Sequence, residues 1–311
     1  MVSGPAAAAP ANRWLVTGAA GMLGQDLTGM LRAIGADVTT FDHRQLDITD
    51  AQAVTAAVLA AAPSIVVNCA AWTAVDDAEA NEDMALAVNG DGPANLAAAC
   101  AWAGAWLVQL STDYVFSGTG TRPYTEDDTP APCTAYGRSK LAGEEAVLRL
   151  LPAASYVLRT AWLYGAHGPN FIRTMIRLEG QQETVAVVDD QHGQPTWTAD
   201  VARQILRLAG AAAEPGIYHA TSRGATTWME LAREVFRLLN ADPARVLPVA
   251  SSEMARPAPR PSYSVLGHDR WASTGLPRLP DWQESLASAF PAIAASAGRE
   301  LANPDTPASA G

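Results

Sequence analysis

Three closely spaced glycines between two apolar stretches constrain the fold of this chain more than any other feature. Residues 14–24 read Trp-Leu-Val-Thr-Gly-Ala-Ala-Gly-Met-Leu-Gly, and apolar side chains then recur at helical spacing as far as Ile34. This order predicts a strand, a tight turn and a helix start. Glycine allows a turn with positive φ and a close approach to a ligand, and free N–H groups at a helix start suit a pyrophosphate. The turn at Gly18, Gly21 and Gly24 therefore favours nucleotide binding, although Gly-x-x-Gly-x-x-Gly alone also fits an ordinary strand-to-helix turn.

The chain after this turn alternates between predicted strands and helices. Apolar or β-branched runs read as strands at residues 37–42, 64–68, 105–110 and 156–162. The alternation predicts an α/β fold with a Rossmann-type, doubly wound parallel sheet, which binds ligands at the carboxyl ends of its strands. We assign residues 13–165 to this NAD(P)-binding domain and residues 166–290 mainly to a smaller C-terminal α/β substrate-binding domain. The Ala- and Pro-rich residues 1–12 and the Ala- and Ser-rich residues 291–311 are expected to be a disordered leader and tail.

Charge and cysteine usage narrow the class of protein. A formal net charge of -11 argues against nucleic acid as a partner, because duplex-binding proteins usually present a basic face. Cys69, Cys100 and Cys133 are far apart and lack metal-ligand spacing, which favours a reducing compartment and no metal site. No apolar run in the sequence is long enough for a membrane span. We expect a cytoplasmic protein without membrane contact.

The end of the second predicted strand carries conflicting signals about the cofactor. Asp42 stands where an acid bonds the ribose hydroxyls of NAD, whereas a cation at His43 or Arg44 would suit the extra phosphate of NADP. We expect use of both NADH and NADPH, or a modest preference for one. After the third predicted strand, the small Ala70 and Ala71 would let a cofactor pass close to the backbone.

A candidate proton donor follows in the second hundred residues. Tyr136 and Lys140 lie four apart on a predicted helix, so they share one face. A free tyrosine has a pKa of about 10, and a nearby ammonium lowers it by stabilising the phenolate. Thr112, at the end of the fourth predicted strand, could bond the same carbonyl oxygen. Tyr-x-x-x-Lys also occurs on plain surface helices, but the strand-end threonine and the glycine turn favour a ketone reductase.

Together these motifs resemble the extended short-chain dehydrogenase/reductase family, from about residue 13 to 290. A closer similarity is to the dTDP-4-dehydrorhamnose reductase family. It rests on blocks in the same order, namely Thr73-Ala74-Val75-Asp76, Ser111-Thr112-Asp113-Tyr114-Val115-Phe116, Arg159-Thr160-Ala161-Trp162, Asp190-Gln191-His192-Gly193-Gln194-Pro195-Thr196 and Arg260-Pro261-x-x-Ser264-x-Leu266. In that family, hydride passes from the nicotinamide to the 4-keto carbon of a dTDP-linked 6-deoxyhexose.

The resemblance implies a role for each matching residue. Within the glycine turn, Gly21, Met22 and Leu23 would hold the pyrophosphate. Asp42 would meet the ribose, Asp47 and Ile48 the adenine, and the run from Ala71 to Thr73 would line the cofactor. Tyr136 would donate the proton, and Lys140 would bond the nicotinamide ribose. The sugar contacts would be Val75, Thr112, Asp113 and Trp162, with Arg260 at the diphosphate. Plainer roles exist for four of these: core packing for Val75 and Trp162, a turn for Asp113 and a solvated charge for Arg260.

Several alternatives remain open at this point. Some family members bind Mg²⁺ through glutamates at a dimer interface, but this chain has Asp26 after the glycine turn and no glutamate in 195–201. A metal-bridged homodimer is therefore doubtful, and Asp26 is better read as a helix N-terminal acid. The substrate could be another dTDP-deoxysugar, such as a dihydrostreptose precursor. A non-catalytic regulatory subunit of methionine adenosyltransferase type, an epimerase and a dehydratase are further options.

Overall fold

The computed structural model describes residues 13–211 and 213–298. The predicted leader and the last part of the predicted tail, residues 299–311, lie outside the described residues. Within them, a central sheet contains β1 (Arg13–Thr17), β2 (Asp37–Phe41), β3 (Ile65–Asn68), β4 (Trp106–Thr112), β5 (Ser155–Thr160) and β10 (Gly216–His219). These six strands are parallel and follow the order β2-β1-β3-β4-β5-β10.

Helices connect the strands and cover both faces of the sheet. Their bounds are α1 (Met22–Ala33), α2 (Ala51–Ala61), α3 (Val75–Ala78), α4 (Glu82–Leu86), α5 (Gly92–Ala103), α6 (Ala135–Leu150), α7 (Phe171–Glu179), α8 (Thr198–Ala209), α9 (Trp228–Leu238) and α10 (Trp282–Ser296). Short strands complete the chain: β6 (Leu163–Tyr164), β7 (Val185–Val188), β8 (His192–Gly193), β9 (Thr196–Trp197), β11 (Thr226–Thr227) and β12 (Val246–Val249).

The central sheet is buried on both faces, as its continuous apolar strands require. Every residue of β3 and β5 is buried. One face packs against α1 and α8 through residues such as Leu27 and Ile205. The other packs against α2, α5 and α6 through residues such as Val54, Leu96 and Val147. The predicted doubly wound α/β fold is confirmed.

The switch in strand order around β1 positions the site. Helices leave β1 and β3 in opposite directions, which opens a crevice at the carboxyl ends of the strands. Polar side chains join those ends inside the core. Thr17 Oγ1 donates to Asn68 Oδ1 at 2.6 Å, and Asn68 Nδ2 donates to Gln109 Oε1 at 2.8 Å. These bonds fix the ends of β1 and β3 relative to the middle of β4.

A second hydrophobic core lies in the C-terminal part of the chain. There α7, α9 and α10 pack around the parallel pair β7–β12, with Ile172, Phe236 and Phe290 buried between them. The chain does not divide at one point, however. Helix α8 packs on α1, and β10 pairs with β5, so this part of residues 166–290 belongs to the large sheet. Among the described residues, no helix combines the length and apolar character needed to cross a membrane.

The last helix corrects the predicted start of the tail. We expected the ordered chain to end at residue 290, but α10 continues through Pro291 to Ser296. Ile293 and Ala294 are fully buried in the second core, so packing outweighs the loss of one backbone donor at Pro291. The tail prediction was therefore wrong for residues 291–296.

Replacing Ile293 by alanine tests this correction. Deleting a fully buried isoleucine side chain should lower the free energy of unfolding by about 2–5 kcal/mol. Ala295→Ser, on the exposed side of the same turn, should change it by less than about 0.5 kcal/mol. Urea denaturation measures both, and equal midpoints for the two variants would contradict the buried position of Ile293.

Candidate active site

Two positions of the turn after β1 require glycine, because a Cβ atom at either would clash with the backbone. Gly18 has φ +64°, and a Cβ there would lie 2.5 Å from the backbone nitrogen of Ala70. A Cβ at Gly24 would lie 2.3 Å from the carbonyl oxygen of Gly18. The turn therefore packs against the end of β3 and against the first turn of α1. Gly21 precedes α1, and no side chain caps this helix start, which leaves backbone N–H groups for a ligand.

A cavity of about 420 Å³ runs from this turn to the predicted catalytic residues. The predicted site residues that line it are Gly21, Met22, Leu23, Gly24, Ala71, Thr73, Val75, Thr112, Asp113, Tyr136, Lys140 and Trp162. They come from the carboxyl ends of different strands and from the starts of α1, α3 and α6. One end suits a pyrophosphate and the other carries acid–base groups, so the residues present fit a nicotinamide dinucleotide.

Helix α6 is bound to the C-terminal part of β4 at the end of the cavity that holds Tyr136 and Lys140. Thr134 Oγ1 accepts from the N–H of Gly137 at 2.9 Å and caps the helix. A Cβ at Gly137 would lie 2.3 Å from the carbonyl oxygen of Tyr114, so glycine allows the helix to approach the chain after β4. Lys140 Nζ donates to the carbonyl oxygen of Leu110 at 2.6 Å. These contacts place Tyr136 beside Thr112.

The electrostatics of Tyr136 differ from the sequence-based expectation. Burial raises the pKa of Tyr136 to about 12, and the hydrogen bond with Thr112 offsets this only in part. The prediction that Lys140 lowers this pKa was wrong, because the ammonium is bound to the β4 backbone and desolvation of the phenolate dominates. Burial also lowers the pKa of Lys140 to about 8, against the opposing effect of the Glu144 carboxylate. Tyr136 is thus protonated at neutral pH, as a proton donor must be.

Trp162 separates this cavity from a second one. Its backbone has φ +45°, a left-handed conformation that bulky residues rarely adopt. Its ring stacks on Trp228 with centroids 3.6 Å apart, and a Cβ at Gly193 would lie 2.4 Å from that ring. The strained backbone and the glycine hold the indole at the junction of the two cavities.

The second cavity has a volume of about 720 Å³ and shares Tyr114 and Trp162 with the first. Its wall includes Phe171, Met175 and Trp228, with Arg256 and Arg260 from the segment after β12. Arg260 Nη2 donates to Asp76 Oδ2 at 2.7 Å, and the N–H of Ala258 donates to Asp76 Oδ1 at 3.2 Å. Arg260 thus reaches the cavity while tied to α3. Aromatic faces beside guanidinium groups suit a base and phosphates.

The structure does not bring all predicted cofactor residues to the main cavity. Asp42 lines a separate shallow cavity with Ala19 and Arg32, and its Oδ1 accepts from the N–H groups of Arg44 and Gln45.

The remaining adenine-side predictions fall outside both of the cavities that meet at Trp162. His43 is exposed, like Arg44. Asp47 bonds Thr49 in a turn. Ile48 is buried against α5, so its side chain serves the core.

Sequence reasoning missed a buried ionic cluster beneath the site. Arg159 Nη2 lies 2.7 Å from Glu144 Oε2, with the two side chains 1% and 2% exposed, and Ser111 Oγ donates to Glu144. Glu144 follows Lys140 at i+4, a helical spacing that could have revealed it. Trp228 and Phe171 gave no comparable signal.

Asp26 takes part in protein contacts near the glycine turn. Its Oδ2 accepts from Thr198 Oγ1 at 2.5 Å, and its Oδ1 lies 3.6 Å from His167 Nε2. Across residues 13–211 and 213–298, no group of three or more His, Cys, Asp or Glu side chains is arranged to hold a metal ion.

Comparisons with known proteins show to which family this chain is similar. The family model described as the RmlD substrate binding domain matches residues 12–294. The dTDP-4-dehydrorhamnose reductase of Streptomyces griseus is 58% identical over 95% of this chain and 98% of its own length. The dTDP-4-keto-6-deoxy-D-glucose reductase of Streptomyces niveus is 54% identical over 91% of this chain and 98% of its own. The crystal structure of dTDP-4-dehydrorhamnose reductase from Bacillus anthracis in complex with NADP has a TM-score of 0.87 at 40% identity, covering 90% of this chain and 99% of that one.

Two glycines of α1 offer a matched test of the turn. Gly24→Ala should weaken NADPH binding about tenfold or more, because the new methyl group forces the turn apart at a cost of about 1–3 kcal/mol. At Gly29 a Cβ would have no neighbour within 4 Å, so Gly29→Ala should leave the Kd unchanged. Fluorescence titration with NADPH measures both, and equal Kd values would contradict the role of the turn.

Proposed function

The chain belongs to the dTDP-4-dehydrorhamnose reductase family and is an NAD(P)H-dependent oxidoreductase, and from this we propose that it reduces the 4-keto group of a dTDP-4-dehydro-6-deoxy-L-hexose. One observation carries the proposal. Thr112, Tyr136 and Lys140 meet at the end of a cavity that begins at the glycine turn and continues past Trp162 into a second, aromatic and cationic cavity. A cofactor and a nucleotide sugar would thus meet at these residues.

The three residues divide the chemistry between them. The bound cofactor would supply a hydride to C4 of the sugar. Tyr136 would give its phenolic proton to the carbonyl oxygen. Its raised pKa keeps the phenol protonated at neutral pH. General acid catalysis of this kind contributes about 10²–10⁴-fold. Thr112 would hold the carbonyl oxygen, and Lys140 would bond the nicotinamide ribose.

The second cavity supports the nucleotide part of the substrate. A pyrimidine base can stack on aromatic rings such as Trp228, and a diphosphate pairs with guanidinium groups such as Arg256 and Arg260. The adjoining sugar would then lie beside Trp162, Asp113 and Val75, next to Tyr136. This arrangement favours a nucleoside diphosphate sugar over a free ketone.

The sugar itself is the finer part of the proposal. The relatives carry names that differ in the hexose on which they act. The L-lyxo-4-keto sugar is our first choice, because the name of the Streptomyces griseus relative, dTDP-4-dehydrorhamnose reductase, implies this substrate class. Our second choice is another dTDP-deoxysugar, such as a dihydrostreptose precursor. Because the chain is an enzyme, the alternative of a non-catalytic regulatory subunit is set aside.

Turnover of a substrate panel tests the proposal. The purified chain should oxidise NADPH when dTDP-4-dehydro-L-lyxo-hexose is added, and less rapidly with other dTDP-4-keto sugars. The absorbance of NADPH follows the reaction. No oxidation with any member of the panel would refute the proposed activity, and faster turnover of a different hexose would refute the choice of sugar.

Tyr136→Phe tests the proton donor. It should lower kcat by about 10²–10⁴-fold and leave NADPH binding unchanged, because only the phenolic oxygen is lost. Tyr156→Phe is the control. Its hydroxyl donates to the carbonyl oxygen of Ala213 at 2.9 Å, so it should lose about 1 kcal/mol of stability without loss of kcat. Full activity of Tyr136→Phe would contradict the assigned role.

Arg260→Met tests the diphosphate contact. It should raise KM for the dTDP-sugar about tenfold, since a charged hydrogen bond contributes about 1.5–3 kcal/mol, and should affect kcat less. Arg122→Met is the control, because Arg122 pairs with Asp128 at the exposed surface. Steady-state kinetics compare the two variants. An unchanged KM for Arg260→Met would contradict the diphosphate contact and leave Arg260 only its structural bond with Asp76.

A further inference from the structure

The single hydroxyl proton of Thr112 is already donated to Asp113, although the proposed function needs it for the substrate carbonyl. Its Oγ1 donates to Asp113 Oδ1 at 3.0 Å, and the same oxygen accepts from the N–H of Tyr114 at 3.2 Å. A threonine hydroxyl has a single hydrogen to donate. While that hydrogen points to Asp113, Thr112 cannot donate it to a substrate carbonyl, which the proposed function requires.

Asp113 sits in surroundings that favour a neutral carboxyl group. It is 3% exposed, and burial raises its pKa to about 6. The Thr112 hydroxyl, which bonds Asp113 Oδ1, and the nearby Ser264 hydroxyl offset the burial in part. Asp113 Oδ2 is buried without a hydrogen-bond partner among the described residues. The neighbouring phenols are Tyr114 and Tyr136, and the charge of an ionised Asp113 raises the pKa of both.

The charged groups nearest to this cluster stabilise other side chains. Arg256 and Arg260, on the segment after β12, favour the ionised forms of Tyr114 and of Asp76 in α3 and so lower their pKa values. Lys140 of α6 is held at the Leu110 carbonyl. Among the described residues, the groups that lower the pKa of Asp113 are neutral hydroxyl and backbone N–H groups.

We propose that Asp113 is a positioning residue whose neutral form turns the Thr112 hydroxyl towards the substrate. A protonated Asp113 donates to Thr112 Oγ1, and the Thr112 hydrogen is then free for the carbonyl oxygen. An ionised Asp113 accepts that hydrogen and withdraws it from the substrate. The inference rests on the proposed function, since it concerns how Thr112 holds the carbonyl.

The direction of the pH dependence follows from this switch. Below the pKa of Asp113 the competent, neutral form dominates, and kcat/KM falls as pH rises through that pKa. The nearby Ser264 hydroxyl lowers the pKa of Asp113, so removing it raises this pKa and moves the fall in kcat/KM to higher pH. A carboxylate needed in its charged form would instead give a kcat/KM that rises as pH rises through that pKa, so the sign of the change decides between the two forms.

The kcat/KM profile of Asp113→Asn, from about pH 5 to about pH 9, tests the proposal. The asparagine amide always presents N–H to Thr112, so the fall assigned to Asp113 should vanish, and above that pH the variant should match or exceed the native enzyme. Ser264→Ala should move the fall upward. Asp127→Asn, at an exposed carboxyl, should keep the native profile.

A second measurement is independent of turnover. A ¹³C NMR titration of the aspartate-labelled full chain, with Asp113 assigned from the Asp113→Asn spectrum, should show a raised pKa that rises further in Ser264→Ala. A uniform loss of kcat/KM in Asp113→Asn at every pH, with cofactor binding intact, would overturn the proposal, as would an Asp113 pKa near 4. Failure of the native enzyme to turn over any dTDP-4-keto sugar would instead refute the proposed function.

Discussion

The seam between helix α6 and strand β4 is the contact on which the site depends. Three residues along one face of the helix meet the C-terminal part of the strand and the chain that follows it. Gly137 lies against the Tyr114 carbonyl, Lys140 bonds the Leu110 carbonyl, and Glu144 accepts from Ser111. Because these contacts bracket Thr112, they fix the distance between the threonine and Tyr136. The crevice at the switch in strand order then brings the glycine turn to the same place.

This seam is held by buried charge. The Arg159–Glu144 pair is almost fully removed from water, and such a pair stabilises little relative to apolar packing because both ions lose their hydration. Removing one partner, however, leaves an unpaired buried ion at a cost of about 3–5 kcal/mol. The pair therefore restricts how β4, β5 and α6 can pack more than it adds to stability. A restricted backbone suits a site in which a hydride and a proton must reach one carbonyl group.

Local patterns in the sequence predicted the parts of the molecule that depend on near neighbours. The glycines between β1 and α1 predicted the turn, and the alternation of strands and helices predicted the doubly wound sheet. Contacts between distant residues could not be read in this way. Arg260 meets Asp76 only because the segment after β12 returns to α3, and the continuation of α10 to Ser296 depends on a core formed with α7 and α9. The pKa of Tyr136 depends on burial, which a four-residue spacing does not reveal.

Transfer of a labelled hydride tests the central claim most directly. The chain would be incubated with dTDP-4-dehydro-L-lyxo-hexose and NADPH that carries deuterium at the transferable position of the nicotinamide, and the product examined by NMR and mass spectrometry. The geometry around Tyr136 and Thr112 predicts a hexose with deuterium at C4 and a hydroxyl in place of the ketone. Deuterium at another carbon, or recovery of the unlabelled ketone after prolonged incubation with the folded, NADPH-binding chain, would contradict it.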